Sequence, residues 1–312
     1  MTDTTAPRIG VLLWNQYTDW PSMRDHAARA DALGYDSLWT WDHLYPIQGS
    51  SNGPILEGYG VLAGWAAATQ RATLGLMVGA NTFRNPALVV KQITMLDHLS
   101  NGRAILGIGA AWFDEEHADF GIEFGETVGQ RIGWLDESVD LMAQMLREGV
   151  GTARGDHYHA EHVRNDPRPV QERLPILIGG AGEKKTLRTV ARYADIWNVS
   201  MVTPDEAARK RDILLEHCRE VGRDPNEIEL TLSVGPTFIR DDPAELELVR
   251  QRYVARNAGA QRVPVMGTVD EITAHFQGFL DAGFRHLIYH QPPPYDVETL
   301  ERFASEVRPA LV

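Results

Sequence analysis

Short apolar runs alternate with longer amphipathic runs along almost the whole chain. Eight of the apolar runs have the length of buried strands, and a run with helical periodicity follows each of them. The strand candidates are RIGVLLW (8–14), SLWTWDH (37–43), ATLGLMVG (72–79), AILGIGA (104–110), PILIGG (175–180), ADIWNVS (194–200), IELTLSVGPTFI (228–239) and RHLIYHQ (285–291). The helix candidates cover 19–34, 57–70, 86–100, 130–149, 183–193, 204–222, 243–258, 270–283 and 297–307. The pattern therefore predicts eight consecutive strand–helix units.

Eight strand–helix units in 312 residues are typical of a (β/α)8 TIM barrel, an α/β fold with a closed parallel sheet. An open doubly wound sheet is the alternative. It would normally carry a G-x-G-x-x-G turn after the first strand, and LLWNQYTDW has none. We therefore predict a single barrel domain over 1–312.

Three segments exceed what a minimal barrel needs. Residues 111–128 follow the fourth strand, and strand-to-helix insertions lie at the catalytic face of a barrel, so this segment is a candidate lid or pocket wall. Residues 150–172 precede the fifth strand, and we expect a hairpin there that packs on the barrel. Residues 240–268 follow the seventh strand and include a polar, Arg-rich stretch that we expect to be mobile.

Composition narrows the classes of function. The net charge of −13, from 30 Lys and Arg against 43 Asp and Glu, disfavours nucleic acid and anionic membranes as partners. No apolar run approaches the roughly 20 residues that span a bilayer, and the N-terminus MTDTTAPR does not resemble a signal peptide. The one cysteine, Cys218, cannot form an internal disulfide. We therefore expect a soluble, cytoplasmic protein.

The C-terminal ends of the strands surround the active site in a barrel. The residues at these positions are mostly glycine, apolar and amide side chains. They are Trp14, Asn15, Asp42, His43, 79–82, 109–112, 179–182, Asn198, Ser200, His290 and Gln291. Since few ionisable groups converge, the set favours binding of a large flat cofactor over hydrolytic chemistry.

The run Gly-Gly-Ala-Gly at 179–182 opens the fifth helix directly after a buried strand. Small residues there let backbone N–H groups approach a phosphate. The same residues also suit an ordinary tight turn, and both interpretations stay open. Lys184, Arg188 and Arg192 follow on one face of that helix, where they either meet an anionic tail or are solvated.

His43, preceded by Asp42 at the end of the second strand, is the acid–base candidate because an imidazole exchanges a proton near neutral pH. The alternative is a pocket histidine that only shapes the site. His157, His159 and His162 superficially resemble a metal-binding H-x-H pattern, but they lie in an insertion rather than on a barrel strand. We therefore expect no metal site.

Three separated motifs resemble one known family. LGYDSLWTWDH, LGLMVGANTFRNPALVVKQITMLDHLSNGRAILGIGAAWFDEEHADFG and LPILIGGAGEKKTLRTVARYADIWN occur in this order. They are similar to the luciferase-like monooxygenase superfamily, and in detail to its deazaflavin branch, whose members use coenzyme F420. The resemblance covers roughly residues 8–200. It implies a (β/α)8 barrel that holds the cofactor ring in its mouth.

The resemblance also implies roles for individual residues. His43 is the implied catalytic residue. A non-proline cis peptide is implied between Met77 and Val78, where the family has a bulge after the third strand, and 180–182 would contact the cofactor phosphate. The implied cofactor-binding residues are Asp42, Met77, Val78, Gly79, Ala80, Asn81, Glu115, Gly180, Ala181 and Gly182.

Two positions depart from the family pattern. Sugar-phosphate dehydrogenases of the deazaflavin branch carry a glutamate proton donor where this chain has Trp112, which argues against a sugar phosphate as substrate. Bacterial luciferases carry an arginine in the same turn, where this chain has Ala110, which argues against luciferase-type oxygen chemistry.

We therefore predict an oxidoreductase that transfers a hydride between coenzyme F420 and a small organic substrate such as an alcohol, an enone or an imine. An FMN-dependent two-component monooxygenase, supplied with reduced flavin by a separate reductase, is the alternative. A non-catalytic flavin-binding protein is a second alternative. Relatives in this superfamily are often dimers, so a homodimer is expected.

Overall fold

Eight parallel strands close into a barrel in the computed structural model, which describes residues 6–257 and 263–312. The strands are β1 (Arg8–Leu13), β2 (Ser37–Thr40), β3 (Thr73–Leu76), β4 (Gly79–Ala80), β5 (Ala104–Gly109), β6 (Val150–Arg154), β7 (His159–Arg164), β8 (Ile176–Gly179), β9 (Ile196–Ser200), β10 (Glu229–Ile239), β11 (Val265–Gly267) and β12 (His286–Gln291). The barrel order is β1, β2, β3, β5, β8, β9, β10 and β12, and β12 pairs with β1 to close it. The eight predicted strands and the (β/α)8 barrel are confirmed.

Every predicted helix has a counterpart. The helices are α1 (Trp20–Ala32), α2 (Gly58–Ala68), α3 (Pro86–Ser100), α4 (Asp114–Phe120), α5 (Val128–Arg147), α6 (Thr186–Tyr193), α7 (Pro204–Val221), α8 (Pro243–Arg256), α9 (Val269–Asp281) and α10 (Val297–Arg302). A π-helical turn at Phe303–Val307 continues α10, where the sequence predicts regular helix. None of the helices in the described ranges is long and apolar enough to cross a membrane.

The three insertions take different forms. The segment 111–128 contains the short helix α4, which the periodicity does not predict. The segment 150–172 contains the antiparallel hairpin β6–β7, which confirms the predicted hairpin. The segment 240–268 contains α8 and β11, and residues 258–262 of its Arg-rich stretch lie outside the described part of the chain.

Alternating side chains on the strands fill two layers. On β1, Ile9, Val11 and Leu13 pack in the layer between the strands and the helices, whereas Leu12 points into the barrel. Large aromatic side chains, Trp39 among them, join Leu12 in the barrel interior. The interior is therefore a packed core, and a cavity opens towards the C-terminal ends of the strands.

Gly107 lies where β5 passes closest to the end of β3. A Cβ atom at this position would lie 1.9 Å from the carbonyl oxygen of Leu76. Because this oxygen belongs to the backbone of a barrel strand, it cannot move aside as the end of a flexible side chain could. We therefore expect Gly107→Ala to lower the free energy of unfolding by about 3 kcal/mol. Gly133→Ala is the matched control: nothing lies within 4 Å of the added Cβ on α5, so it should raise that free energy by about 0.5–1 kcal/mol. Urea unfolding followed by circular dichroism measures both, and equal stability of the two variants would contradict the prediction.

A buried histidine on α1 makes stability depend on pH. Desolvation, aided by Arg29, lowers the pKa of His26 from its ordinary 6.5 to about 4, and the ring stacks on Tyr295. As pH falls below 6.5, the unfolded chain binds a proton that the folded chain does not bind until about pH 4. The protein should thus lose roughly 2 kcal/mol of stability between pH 8 and pH 5 through this group. In His26→Leu that part of the loss should vanish, while the exposed-site control His159→Leu should keep it. Identical pH dependence of unfolding in wild type and His26→Leu would contradict this.

Candidate active site

A cavity of about 570 Å³ opens at the C-terminal ends of the barrel strands. Its walls come from the ends of β2, β3, β5, β8, β9 and β12 and from the loops that follow them. This is the position of the active site in barrel enzymes, and the volume is that of a ligand pocket.

The bulge between β3 and β4 forms one wall of the cavity. The peptide between Met77 and Val78 is cis, as the resemblance implies. The Val78 side chain lies across two neighbouring strands, so that a Cβ atom at Gly109 would come within 2.7 Å of it and one at Gly179 within 2.8 Å. Glycines at the ends of β5 and β8 therefore make room for the bulge.

Asp42 fixes the far end of this bulge. Its carboxylate is 2% exposed and accepts the Ala80 N–H at 2.9 Å. Arg84 donates to both carboxylate oxygens, at 2.7 and 2.9 Å, and also to Glu57. Burial lowers the pKa of the Arg84 guanidinium, whereas the charge and hydrogen bonds of Asp42 raise it. The net effect is a raised pKa, so Arg84 stays charged. Asp42 is thus a buried anchor that holds the wall in place from the end of β2.

His43 is held by a buried carboxylate. Its Nδ1 lies 2.9 Å from Oε1 of Glu116 on α4, and the other carboxylate oxygen of Glu116 accepts the Leu44 N–H at 2.8 Å. Glu116 is 1% exposed. A carboxylate that accepts from Nδ1–H leaves Nε2 as the nitrogen that can exchange a proton with a bound molecule.

Aromatic rings surround His43. Trp41 and Trp112 meet it edge to face, with ring centroids 6.5 and 5.5 Å away. Phe113 stacks on Trp112 at 5.4 Å. Trp112 nevertheless keeps 54% of its surface exposed, so a large apolar face beside His43 is available to a ligand.

The glycine-rich turn after β8 forms the part of the cavity wall next to the Val78 side chain. Gly180 has a φ of +141°, and its carbonyl accepts from the Trp197 indole N–H at 2.8 Å. A Cβ atom at Gly182 would lie 2.7 Å from Oγ1 of Thr186, the first residue of α6. The turn therefore requires small residues, and it brings backbone close to the cavity at a helix N-terminus, where an anionic group is favoured.

Nine of the eleven predicted site residues line this cavity. They are Asp42, His43, Met77, Val78, Gly79, Ala80, Gly180, Ala181 and Gly182. Their individual roles in catalysis and cofactor binding stay predictions.

Asn81 and Glu115 do not line the cavity. Asn81 points away towards α5 and the hairpin: its side-chain oxygen accepts from Ser138, and its amide nitrogen donates to the Tyr158 hydroxyl at 3.3 Å. Glu115 lies on the exposed side of α4 and accepts from Ser51 at 2.9 Å. Its neighbour Glu116 lines the cavity, at the position that the resemblance implies for Glu115.

Of the three histidines in the 150–172 insertion, His157 is packed against a helix, whereas His159 and His162 are exposed. His157 stacks on Trp134 of α5 with ring centroids 3.8 Å apart. Among the described residues, no group of three or more His, Cys, Asp or Glu side chains is arranged to hold a metal ion.

Comparison with known proteins places this site in a family context. The luciferase-like monooxygenase family model matches residues 5–291. The F420-dependent glucose-6-phosphate dehydrogenase of Kineococcus radiotolerans is 30% identical over 93% of this chain and 92% of the relative. The enzyme of the same name from Amycolatopsis mediterranei is 26% identical over 92% of this chain and 93% of its own length.

A solved structure shares the fold over the whole chain. An F420-dependent secondary alcohol dehydrogenase, solved with an F420–acetone adduct, superimposes with a TM-score of 0.80 at 21% identity, covering 99% of this chain and 100% of that one. At this level of identity the likeness shows the fold alone.

Proposed function

The chain belongs to the luciferase-like monooxygenase family, and we propose that it is an oxidoreductase that transfers a hydride between coenzyme F420 and a small organic substrate. The relatives named above, which match almost end to end, are F420-dependent dehydrogenases. The observation that carries the proposal is the union, in one cavity, of a glycine-rich wall and a histidine that a buried carboxylate holds.

The cavity fits a flat cofactor with a phosphate-bearing chain. A Cβ atom at Gly109, Gly179 or Gly182 would fall within 3 Å of another atom. A larger residue at any of these positions would therefore push the cavity walls apart. Met77, Val78, Gly79 and Ala80 would lie against the ring, and the turn at 180–182 would hold the phosphate with its backbone.

The residues of the chain would orient the reactants and move one proton. When bound, the deazaflavin supplies the carbon that accepts or donates the hydride. His43 would take a proton from the substrate oxygen, or return it, at Nε2, while Glu116 fixes the tautomer and the ring orientation through Nδ1. Trp112 and the other aromatic rings near His43 would keep water away from the reacting atoms.

Fluorescence titration of the purified protein with F420 and with FMN, each oxidised and reduced, tests the proposal. We expect saturable binding of F420 at least about tenfold tighter than that of FMN, followed by substrate-dependent change of the deazaflavin absorbance. Preference for reduced FMN, with oxygen-dependent product formation and a requirement for a reductase, would replace the proposal by the monooxygenase alternative. Tight F420 binding without turnover of any substrate would instead favour a non-catalytic binding protein.

We further propose a cytoplasmic homodimer. Leu88, Met95 and Leu99 lie along one outer face of α3 and keep 46–55% of their surface exposed, which supports packing of barrel helices between two copies. Light scattering at micromolar concentration should give the mass of a dimer, and Met95→Glu should shift it towards a monomer. A wild-type monomer would contradict the proposal.

A further inference from the structure

A second cavity lies outside the barrel mouth, between α8 and the segment 292–298 that follows β12. We call it the α8 groove, and its walls are the end of β10, α8 and residues 292–298. Its volume of about 360 Å³ is within the range of small-ligand pockets. None of the described residues that line it also lines the barrel-mouth cavity. The groove is therefore a separate surface.

The floor of the α8 groove is apolar. Phe238, near the end of β10, and Tyr253, on α8, are each 6% exposed, and their rings meet edge to face with centroids 5.9 Å apart. Val249 lies one helical turn before Tyr253, and Pro292 and Pro293 belong to the same lining. Aromatic and proline surfaces of this kind suit the flat apolar body of a ligand.

The acidic side chains of the groove already have partners. Arg240 lies 3.0 Å from Asp296 and 3.2 Å from Glu298, and its side chain is 12% exposed. Asp296 also accepts from the Thr299 hydroxyl in α10 at 2.8 Å. Both carboxylates are therefore engaged within the protein.

Two further arginines line the groove. Arg252 and Arg256 are one helical turn apart on the same face of α8. No side-chain hydrogen bond or ion pair joins either of them to another residue of 6–257 or 263–312, and the sequence at 258–262, AGAQR, contains no Asp or Glu. In a chain of net charge −13, two adjacent guanidinium groups without an acidic partner are complementary to an anion from outside the chain.

Arg256 lies where the groove meets a neighbouring cavity of about 420 Å³. The two cavities share Arg256, residues 293–295 and Val297. The acids of the neighbouring cavity are engaged as well, because Asp19 caps α1 and Asp25 pairs with Arg24. The Arg256 guanidinium is thus accessible from two sides, with no carboxylate of either lining paired to it.

Ring packing separates the groove from the barrel mouth. Tyr253 lies against Trp14 with ring centroids 6.5 Å apart, and Trp14 lies against Trp41 at 4.8 Å. Trp14 is fully buried, and Trp41, which lines the barrel-mouth cavity, is 2% exposed. A ligand in the groove is thus held apart from the site of the proposed reaction.

We infer that the α8 groove is a second ligand site, which binds an organic anion with a flat apolar body. The apolar body packs on the floor of the groove, and the anionic group is held by Arg252 and Arg256. The inference goes beyond the proposed hydride transfer and does not depend on it.

Isothermal titration calorimetry with a matched pair of probes tests the inference. 2-Naphthoate and 2-naphthalenemethanol share one flat apolar body and differ in the negative charge. We expect 2-naphthoate to bind with a Kd at least about tenfold below that of 2-naphthalenemethanol. Because exposed charges are screened by salt, about 0.5 M NaCl should weaken 2-naphthoate and leave 2-naphthalenemethanol unchanged.

Variants of α8 test the two arginines. Arg252→Gln and Arg256→Gln should each weaken 2-naphthoate by about tenfold and leave the Kd of 2-naphthalenemethanol within about twofold. Arg250→Gln is the matched control, because Arg250 lies on the same helix, pairs with Glu247 at 3.4 Å and is not part of the lining. It should leave both Kd values within about twofold of wild type.

Two further variants locate the probe. Val249→Trp fills the floor of the groove and should abolish saturable binding of both probes, while circular dichroism shows that the fold is kept. Trp112→Ala alters the barrel-mouth cavity instead and should leave both Kd values unchanged.

Saturable binding of neither probe, or equal affinity for the two, would overturn the inference. So would 2-naphthoate binding that Arg252→Gln and Arg256→Gln leave unchanged. Binding that Trp112→Ala weakens and Val249→Trp leaves intact would also overturn it, since the probe would then occupy the barrel-mouth cavity. All of these titrations use protein without F420, so their failure is distinct from failure of the proposed function.

Discussion

Replacing His43 with alanine should lower kcat by about 10²–10⁴-fold, the usual range for loss of a general acid–base, while the Kd of F420 stays within about threefold. The reason is geometric. Glu116 engages Nδ1 at 2.9 Å, so the imidazole presents Nε2 to the substrate, and no other described side chain is held against this carboxylate in the same way. Turnover is followed through the deazaflavin absorbance with the small organic substrate that the wild-type protein converts fastest.

Two companion variants make this result specific. His159→Ala removes a histidine from the exposed hairpin and should leave kcat unchanged. Glu116→Gln keeps the shape of the side chain but removes the charge that selects the tautomer of His43, so kcat should fall by about tenfold or more and its pH profile should shift. Wild-type turnover in His43→Ala would remove His43 from the mechanism. If weaker F420 binding fully explained the lower turnover of His43→Ala, His43 would be assigned a role in cofactor binding.

The barrel was predictable because its strands are buried on both sides. Segments such as 104–110 and 175–180 are continuous apolar runs bounded by polar residues, and amphipathic helices separate them. The type and the order of the secondary-structure elements therefore follow from residue composition and hydrophobic periodicity. The hairpin β6–β7 was likewise predictable, since it occupies an insertion that no barrel strand or helix needs.

The inward residue of α4 was not predictable in the same way. The helix has only seven residues and begins inside an insertion, so too few apolar positions set its rotational phase. Adjacent residues of a helix point about 100° apart, and this turns Glu116 towards His43 and Glu115 towards solvent. The orientation of Asn81 was not predictable for a related reason: it follows a two-residue strand, and its side chain points away from the cavity towards the Tyr158 hydroxyl.

Gln48 shows a second limit of sequence reasoning. It lies in the irregular loop after β2, where no period indicates which side chains face the barrel mouth. Its position depends on Gln16, which is 32 residues away in the sequence and fully buried. The parallel pairing of β1 with β2 brings the loops after these two strands together.

Arg84 pairs with Asp42 across the ends of β2 and β3, and breaking this pair should lower both the stability of the protein and its affinity for the cofactor. In Arg84→Met, Asp42 would keep the Ala80 N–H but lose both guanidinium bonds while remaining buried. Removal of one partner of a buried ion pair typically costs 3–5 kcal/mol, so we expect the free energy of unfolding to fall by about 3 kcal/mol. Because the same carboxylate holds the wall at Ala80, F420 affinity should fall by roughly tenfold as well.

The double variant Asp42→Asn/Arg84→Met distinguishes an unpaired charge from lost packing. With the carboxylate neutralised, most of the lost stability should return, and the double-mutant cycle should give a coupling of at least about 1 kcal/mol. Arg24→Met, which breaks an exposed pair with Asp25, serves as control and should change stability by less than about 1 kcal/mol. Urea unfolding measures five proteins: wild type, Asp42→Asn, Arg84→Met, the double variant and the control Arg24→Met. If Arg84→Met were as stable as the control, Asp42 would not depend on Arg84, and the wall at Ala80 would owe its position to the packing of Val78 against the glycines of β5 and β8 instead.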